Sequence, residues 1–179
     1  MSGWRQARAI ALLPGTVTVV VPTLILVLGD GPRIGWGLSG VAVALPVLLG
    51  AALIAAGFAL WAWTVRLFSR IGKGTLAPWD PTSRLVVEGP YRHARNPMIS
   101  GVVAVLLGEA ALFGSLALVV WAAVFFALNH SYFLLFEEPG LERRFGDEYR
   151  RYKQGVPRWI PRRTPWREGA LSRPRAEAD

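Results

Sequence analysis

The chain has 179 residues, of which 53% are hydrophobic and only 18% carry a charged side chain, whereas a typical soluble domain has about 25% charged residues. The apolar residues form long blocks, which indicates lipid as the surrounding solvent. The absence of cysteine excludes a disulfide framework and a cysteine-ligated metal, and no other metal site is predicted. The net charge of +8 is carried by basic residues that flank apolar spans, which favours contact with membrane lipids and argues against binding to nucleic acid.

The first apolar block covers residues 9–28 and contains Pro14 and Pro22 but no charge. Proline is tolerated in a membrane helix because neighbouring groups satisfy the freed backbone atoms, so the block predicts a first membrane span. A cleaved signal peptide is the alternative, since Arg5 and Arg8 precede the block. The block is longer than the roughly 7–15 apolar residues of a typical signal peptide, and no small-residue cleavage motif follows it.

Three further apolar blocks follow, at residues 38–65, 98–113 and 115–136. Gly114 and Ser115 offer a tight turn between the last two blocks, which predicts a helical hairpin. The alternative is one long broken helix, but its length without charges would exceed the thickness of a bilayer. The fold class predicted is therefore an all-α, polytopic membrane protein with about four transmembrane helices.

The distribution of basic residues predicts the orientation of these spans. The segment between the second and third blocks and the segment after the fourth block are both rich in arginine and lysine, whereas the first loop has only Arg33, offset by Asp30. Basic residues concentrate on the cytoplasmic side of membrane proteins. We therefore expect four spans with both termini in the cytoplasm. Arginine far outnumbers lysine, as is typical of a GC-rich source, and a bacterial inner membrane is the expected location.

A short amphipathic helix is predicted after the fourth span, at residues 140–153. Its apolar residues recur at spacings of four, four and three, namely Leu141, Phe145, Tyr149 and Tyr152, which places them on one helix face. Such a helix can lie at the cytoplasmic membrane surface or cover a pocket. Residues 162–179 are dominated by Pro, Arg, Ala and Glu, which predicts a disordered basic tail. Residues 1–161 are thus expected to form a single membrane-embedded domain.

A glycine pattern in the first loop matches the spacing G-x-G-x-x-G, from Gly35 to Gly40. In nucleotide-binding proteins this pattern follows a strand and begins a helix of a βαβ unit. The surrounding sequence here is a membrane loop, so a nucleotide site is rejected. The glycines are instead expected to let helices approach closely.

The start of the third span carries polar and basic residues next to a helix-start motif. Asn96 and Pro97 suit the N-cap and the first position of a helix. The free N–H groups at such a helix terminus favour an anionic group such as the carboxylate of a ligand. The alternative interpretation is a plain capped span with a basic cytoplasmic flank.

Polar side chains also interrupt the end of the fourth span. Residues 129–132 are Asn, His, Ser and Tyr, and Glu137 and Glu138 follow. Polar groups at this depth are costly unless they face protein or water, and His130 lies seven residues before Glu137, on the same helix face. The simpler alternatives are a histidine that hydrogen-bonds between helices and a solvated acidic flank. Glu109, in the third span, either reaches the outer interface or has a functional role.

The two polar segments together resemble a known family. The motifs are Gly89-Pro90-Tyr91-x-x-x-Arg95-Asn96-Pro97-Met98, an apolar hairpin, Glu137-Glu138-Pro139-x-Leu141, Phe145-Gly146, Tyr149, Tyr152 and Val156-Pro157. In this order they resemble the isoprenylcysteine carboxyl methyltransferase family, whose relatives are the phospholipid methyltransferases. The resemblance covers about residues 72–161, which would form the cofactor module.

The resemblance implies S-adenosylmethionine as methyl donor, held without a Rossmann domain. Carried over by position, the cofactor-contacting residues would be Ser83, Arg84, Leu85, Val86, Tyr91, Asn96, Pro97, Met98, Ile99 and Glu137. The chain departs from the eukaryotic enzymes at three of the matching positions. Asn96 replaces a histidine, Ile99 replaces a tyrosine, and Phe133 replaces an arginine that engages the substrate.

The chemistry of the donor and of the acceptor suggests a role for several residues. Glu137 would pair with the ammonium of the donor, and the N–H groups near Pro97 together with Arg95 would receive its carboxylate. Tyr91 or a neighbouring aromatic residue would pack on the adenine. A carboxylate acceptor needs no base, whereas an amine acceptor must lose a proton, for which His130 is the candidate. The predicted catalytic residues are therefore Arg95, His130 and Glu137.

The expected activity is methyl transfer to a lipid or lipidated acceptor, with carboxyl O-methylation of the isoprenylcysteine type as the first expectation. Three alternatives remain open: a phospholipid headgroup N-methyltransferase, an NADPH-dependent membrane reductase with a similar cofactor module, and a non-enzymatic membrane partner.

Overall fold

The computed structural model describes residues 14–29, 31–72 and 85–167. Within these ranges the α-helices are, in chain order, α1 (Val21–Leu28), α2 (Ala44–Leu67), α3 (Pro97–Phe113), α4 (Leu116–Tyr132) and α5 (Glu138–Gly155). Short π-helical segments adjoin them at Thr16–Val20, Phe68–Gly72 and Phe133–Glu137, and 3₁₀ turns lie at Ile34–Gly37, Gly40–Val43 and Gly89–Arg92. The described residues contain no strand, so the predicted all-α class is confirmed.

Two continuous helices of the described chain are long and apolar enough to cross a membrane, Gly40–Leu67 and Leu116–Gly155. The apolar part of the second ends at Phe136, and its charged continuation is α5. Two shorter apolar helices, Thr16–Leu28 and Pro97–Phe113, accompany them. The number of four crossings and the orientation of the chain in the membrane stay predictions. Residues 1–13 and Asp30, used to predict the orientation, lie outside the described residues.

Glycines bring the backbones of α2 and α3 into direct contact. Gly57 lies opposite Gly101, and a Cβ atom added to Gly57 would be 2.6 Å from the carbonyl oxygen of Gly101. Gly50 lies opposite Gly108 in the same way, with a distance of 2.7 Å from its added Cβ to the Gly108 oxygen. The first glycine of α2 thus meets the second of α3, so the two helices are antiparallel. Close approach of this kind favours van der Waals packing of membrane helices.

The hairpin predicted between the third and fourth apolar blocks is present. Gly114 ends α3 in the left-handed conformation, with φ of 59°, and the Ser115 side chain accepts a hydrogen bond from the Leu118 N–H. Leu106 and Ala122 pack in one buried cluster, as expected when α3 and α4 run antiparallel. The Arg33 N–H donates to the Phe113 carbonyl over 2.7 Å, so the first loop lies at the hairpin end of the molecule.

The glycines of the first loop have a different role from the one expected. Gly35, Gly37 and Gly40 all have positive φ, and nothing lies within 4 Å of a Cβ added at Gly37 or Gly40. The expectation that they permit close helix approach was therefore wrong for these two. Their backbone conformation is one that glycine adopts without steric cost.

Helix α5 contains the amphipathic segment predicted at residues 140–153. It bends at Gly146, which has φ of 53°. Its apolar face packs against protein, in a cluster formed by Tyr149, Tyr152, Val156 and Trp166 with Leu85, Val87, Leu141 and Phe145 around it. Packing thus extends to Trp166, beyond the predicted domain end at Pro161. The prediction of a disordered tail falls largely on residues 168–179, which lie outside the described residues.

Candidate functional site

A buried carboxylate joins the two polar segments. Glu138, at the start of α5, is 2% exposed, and its Oε1 accepts hydrogen bonds from Arg95 Nη1 over 2.5 Å and from Arg158 Nε over 2.8 Å. Lys153 Nζ lies 3.2 Å from the other oxygen. The segment before α3, helix α5 and the segment after it therefore converge at one end of the molecule. This is the juxtaposition on which the predicted site depends.

Glu138 remains charged in this position. Burial by itself raises the pKa of a carboxyl group, but the hydrogen bond from Arg158, the charge of Arg95 and the hydrogen bond from Lys153 together lower the pKa of Glu138 below its usual value. A buried carboxylate with three cationic partners is an anchor of the fold. The sequence assigned a role to Glu137 only, because nothing in the local pattern shows that the neighbouring Glu138 turns toward Arg95 and Arg158.

Backbone pairing fixes the approach to α3. The N–H groups of Arg95 and Asn96 donate to the carbonyls of Pro157 and Arg158 over 2.9 Å and 3.2 Å. Asn96 occupies the N-cap position and Pro97 begins α3, as expected, but among the described residues the Asn96 side chain makes no capping hydrogen bond. The Asn96 carbonyl instead accepts from the N–H and the hydroxyl of Ser100.

Tyr91 lies on the inner side of the turn Gly89–Arg92. It is 7% exposed, its carbonyl accepts a 2.7 Å hydrogen bond from the Tyr152 hydroxyl, and its ring centroid is 5.6 Å from that of Phe68. Burial, with smaller contributions from Tyr152 and Glu137, raises the pKa of Tyr91 well above its usual value. Tyr91 is thus a neutral phenol within electrostatic reach of Glu137.

Four polar groups in this region lack an ion pair or a regular hydrogen bond among the described residues. Glu137 is exposed and forms no ion pair there. Arg95 Nε, the Tyr149 hydroxyl and Trp166 Nε1 are buried without a hydrogen bond of regular geometry, although the Arg95 and Tyr149 side chains lie within hydrogen-bonding reach of each other. Tyr149 lies within electrostatic reach of both Arg95 and Glu137. Buried polar groups without partners are rare and require an explanation. Of these groups, the exposed Glu137 carboxylate is the one that a positively charged ligand could reach.

His130 is held by a tryptophan from the C-terminal segment. Trp159 Nε1 lies 2.9 Å from His130 Nδ1, and the ring of Phe126 stacks on the imidazole at 5.9 Å. Because an indole nitrogen only donates, His130 Nδ1 is the acceptor and the ring hydrogen is on Nε2. His130 thus forms a structural hydrogen bond, but to the segment after α5 and not to another helix as the simpler alternative had it. A catalytic role for His130 stays a prediction.

Phe133, which replaces the arginine of the eukaryotic enzymes, is 3% exposed. The guanidinium of Arg158 lies over its ring, 5.9 Å from the centroid. The C-terminal segment therefore brings a guanidinium group to the Phe133 side chain, but the charge of Arg158 is already paired with Glu138.

The other predicted site residues surround this region. Val86 and Pro97 are buried, and Leu85, Met98 and Ile99 are half-buried. Ser83 and Arg84 lie outside the described residues. Glu109 lies far along α3 toward the hairpin turn, and its Oε2 is buried without a hydrogen-bond partner in the described chain. The structure thus gathers the described site residues at one end and leaves Glu109 apart.

A cavity of about 480 Å³ lies beside the turn Gly89–Arg92. Its walls come from the end of α2, the turn itself, the start of α3 and the C-terminal segment, and they include Leu60, Trp63, Arg92, His93 and Trp159. Glu137 is not among the residues that line it. Sequence analysis did not single out His93, because no spacing argument connects it to another polar residue.

Comparison with known proteins identifies the family of this chain. The family model for phospholipid methyltransferases matches residues 45–148, which is more than half of the chain and includes both polar segments. The chain belongs to the phospholipid methyltransferase family, and the resemblance found in the sequence is confirmed at that level. The family and the two long apolar helices together indicate a membrane protein.

A curated relative gives a short match. The chain is 49% identical over 37 residues to an uncharacterised protein of Haemophilus influenzae, which is 21% of this chain and 59% of that relative. The chain therefore spans less than two thirds of the length of this relative. No solved structure matches the chain significantly.

Proposed function

We propose that this protein is an S-adenosylmethionine-dependent methyltransferase that acts on a lipid or lipidated acceptor at the membrane surface. The observation that carries the proposal is the Arg95–Glu138 ion pair. It brings the segment with Tyr91 and Asn96 against the segment with Glu137, which is where the family resemblance requires the cofactor to be held. Membership in the phospholipid methyltransferase family supports the same activity.

The groups without partners suggest how the donor is held. The exposed Glu137 carboxylate pairs with the ammonium of the donor, and the Arg95 Nε–H with the free N–H groups at the start of α3 receives its carboxylate. When bound, S-adenosylmethionine supplies a methyl group on a positively charged sulfur. Positioning and exclusion of water by these residues accelerate its transfer.

The cavity is suited to the acceptor. Leu60 and Trp63 belong to the apolar helix Gly40–Leu67, so an acceptor with a lipid tail can enter from the bilayer without leaving an apolar surface. Arg92 adds a cation to the same cavity, which suits a phosphate or a carboxylate on the acceptor. A fully water-soluble acceptor would gain little from such walls.

Two acceptor chemistries fit this arrangement. Carboxyl O-methylation of the isoprenylcysteine type is the first expectation from the sequence motifs, and Arg92 can hold the carboxylate. Headgroup N-methylation is the second candidate, favoured by the buried Phe133 in place of the arginine of the eukaryotic enzymes. Product analysis in reconstituted membranes separates them, because a methyl ester is cleaved by base and a methylamine is not.

Cofactor binding tests the assignment directly. Calorimetry with S-adenosylmethionine on the detergent-solubilised protein compares Glu137→Gln with Glu148→Gln, an exposed acidic residue on α5. A hydrogen bond to a charged group contributes about 1.5–3 kcal/mol, so we expect Glu137→Gln to weaken binding roughly 10- to 100-fold and Glu148→Gln to leave it unchanged. Equal affinities in both variants would remove Glu137 from the site.

The same titration addresses the remaining alternatives. Binding of NADPH in place of S-adenosylmethionine would indicate a membrane reductase. Binding of neither compound would favour a non-enzymatic membrane partner that has kept the scaffold.

A further inference from the structure

The two histidines of the chain have opposite tautomers. His93 Nδ1 lies 2.8 Å from the carbonyl oxygen of Arg162. A carbonyl only accepts, so His93 Nδ1 carries the hydrogen, and in the neutral ring Nε2 carries the lone pair. His130 is the reverse, since its Nδ1 already accepts from Trp159. Of the two rings, only that of His93 has an acceptor nitrogen not already used by a described residue.

The ring of His93 is also fixed in orientation. The Arg162 N–H donates to the His93 carbonyl over 3.0 Å, so the same residue bonds both the backbone and the imidazole of His93. Arg92 is tied to the C-terminal segment in the same manner, because its Nε donates to the Trp166 carbonyl and its own carbonyl accepts from the Trp166 N–H. A histidine whose Nδ1–H is held by a carbonyl presents Nε2 in a defined direction.

We propose that His93, through Nε2, takes the proton from an amine acceptor bound in the cavity beside the turn Gly89–Arg92. His93 lines this cavity together with Arg92. The inference rests on the proposed function and selects N-methylation from its two acceptor chemistries. It also assigns the role of base to His93 in place of His130.

The chemistry requires this proton transfer for an amine but not for a carboxylate. An ammonium nitrogen has no lone pair, so it first gives one proton to His93 Nε2. The nitrogen lone pair then bonds to the methyl carbon while the bond between carbon and sulfur breaks, and the electron pair stays on sulfur. The products are a methylated ammonium lipid and S-adenosylhomocysteine, and His93 returns its proton to water.

The experiment uses the full-length protein in vesicles that contain phosphatidylethanolamine, with radiolabelled S-adenosylmethionine. His93→Asn keeps an amide N–H able to reach the Arg162 carbonyl but has no basic nitrogen. General base catalysis contributes about 10²–10⁴-fold, so we expect a rate loss of that size with unchanged affinity for the donor. Glu88→Gln, at an exposed position just before the turn, is the matched control and should retain the wild-type rate.

A second variant keeps the proposal testable if His93→Asn is poorly folded. His93→Ala leaves room for a small base, so added imidazole should restore methylation of the amine lipid, which a purely structural role of His93 would not allow. Three results overturn the proposal: a His93→Asn rate within about threefold of wild type, no rescue by imidazole, or wild-type methylation of a prenylated cysteine carboxylate but not of the amine lipid. The last result leaves the proposed function intact, whereas absence of donor binding in the wild type contradicts both.

Discussion

Removing the Glu138 carboxylate should destabilise the protein more than removing any nearby acidic group. In Glu138→Ala the guanidinium of Arg95, whose side chain is 8% exposed, would remain buried without its counter-charge. Breaking a buried ion pair costs about 3–5 kcal/mol. Lys153 is 38% exposed and can turn to water, so its lost contact adds little. The expected loss of about 3–5 kcal/mol in the free energy of unfolding therefore comes mainly from the uncompensated charge of Arg95, with a smaller contribution from Arg158.

The matched control is Glu142→Ala. Glu142 pairs with the same Lys153 over 2.6 Å, but both side chains are about one third exposed, so the loss should be at most about 1 kcal/mol. Chemical denaturation of the two variants in detergent micelles gives both free energies of unfolding. For a chain of this size 3–5 kcal/mol corresponds to a fall in Tm of roughly 6–20 °C.

The reasoning is refuted if Glu138→Ala loses no more stability than Glu142→Ala. A double variant, Arg95→Met with Glu138→Met, provides an independent check. It removes both buried charges, and the two apolar side chains can fill the space, so it should be more stable than Glu138→Ala. A double variant that is as unstable as the single one would show that the loss came from packing and not from the uncompensated charge.

Two further predictions concern the helix interface and the effect of acid. Gly57→Val should strongly impair folding, because the Cβ of the new side chain would press on the Gly101 carbonyl. Gly140→Ala is the control and should leave the Tm unchanged, because nothing lies within 4 Å of a Cβ added there. Equal Tm values for the two variants would contradict the backbone contact between α2 and α3. The folded-state pKa of Glu138 is lowered, so its stabilisation is complete above the ordinary carboxyl pKa of about 4.3 and is lost as pH falls further toward the folded value. Glu138→Gln should therefore show a shallower loss of stability below about pH 4 than the wild type, and parallel pH profiles would contradict this.

The large-scale architecture could be predicted from the sequence because it depends on solvent and on turn chemistry. Long blocks without charges can only be helical in lipid, where each backbone group must be satisfied within its own segment. Gly114 supplied the left-handed conformation that ends α3, so the hairpin followed from a single residue. The convergence of the two polar segments was likewise expected, because a hairpin returns the chain to the end from which it started.

The details of the site could not be predicted in the same way. Glu137 and Glu138 are adjacent, and nothing in their spacing shows that Glu138 turns inward to Arg95 while Glu137 stays exposed. The role of His93 depends on a carbonyl 69 residues away in the sequence. Such contacts arise from tertiary packing, which has no local pattern in the chain.

The segment after α5 has a larger part in the site than its composition suggests. Arg158 completes the charge cluster at Glu138, and Trp159 fixes the tautomer of His130. Arg162 fixes that of His93, and Trp166 holds Arg92. A proline- and arginine-rich sequence cannot form a core of its own, but each of these residues is ordered by a partner in the membrane domain. The segment therefore connects the acidic end of α5 to the turn before α3, and the position of the ring hydrogen in both histidines depends on where it lies.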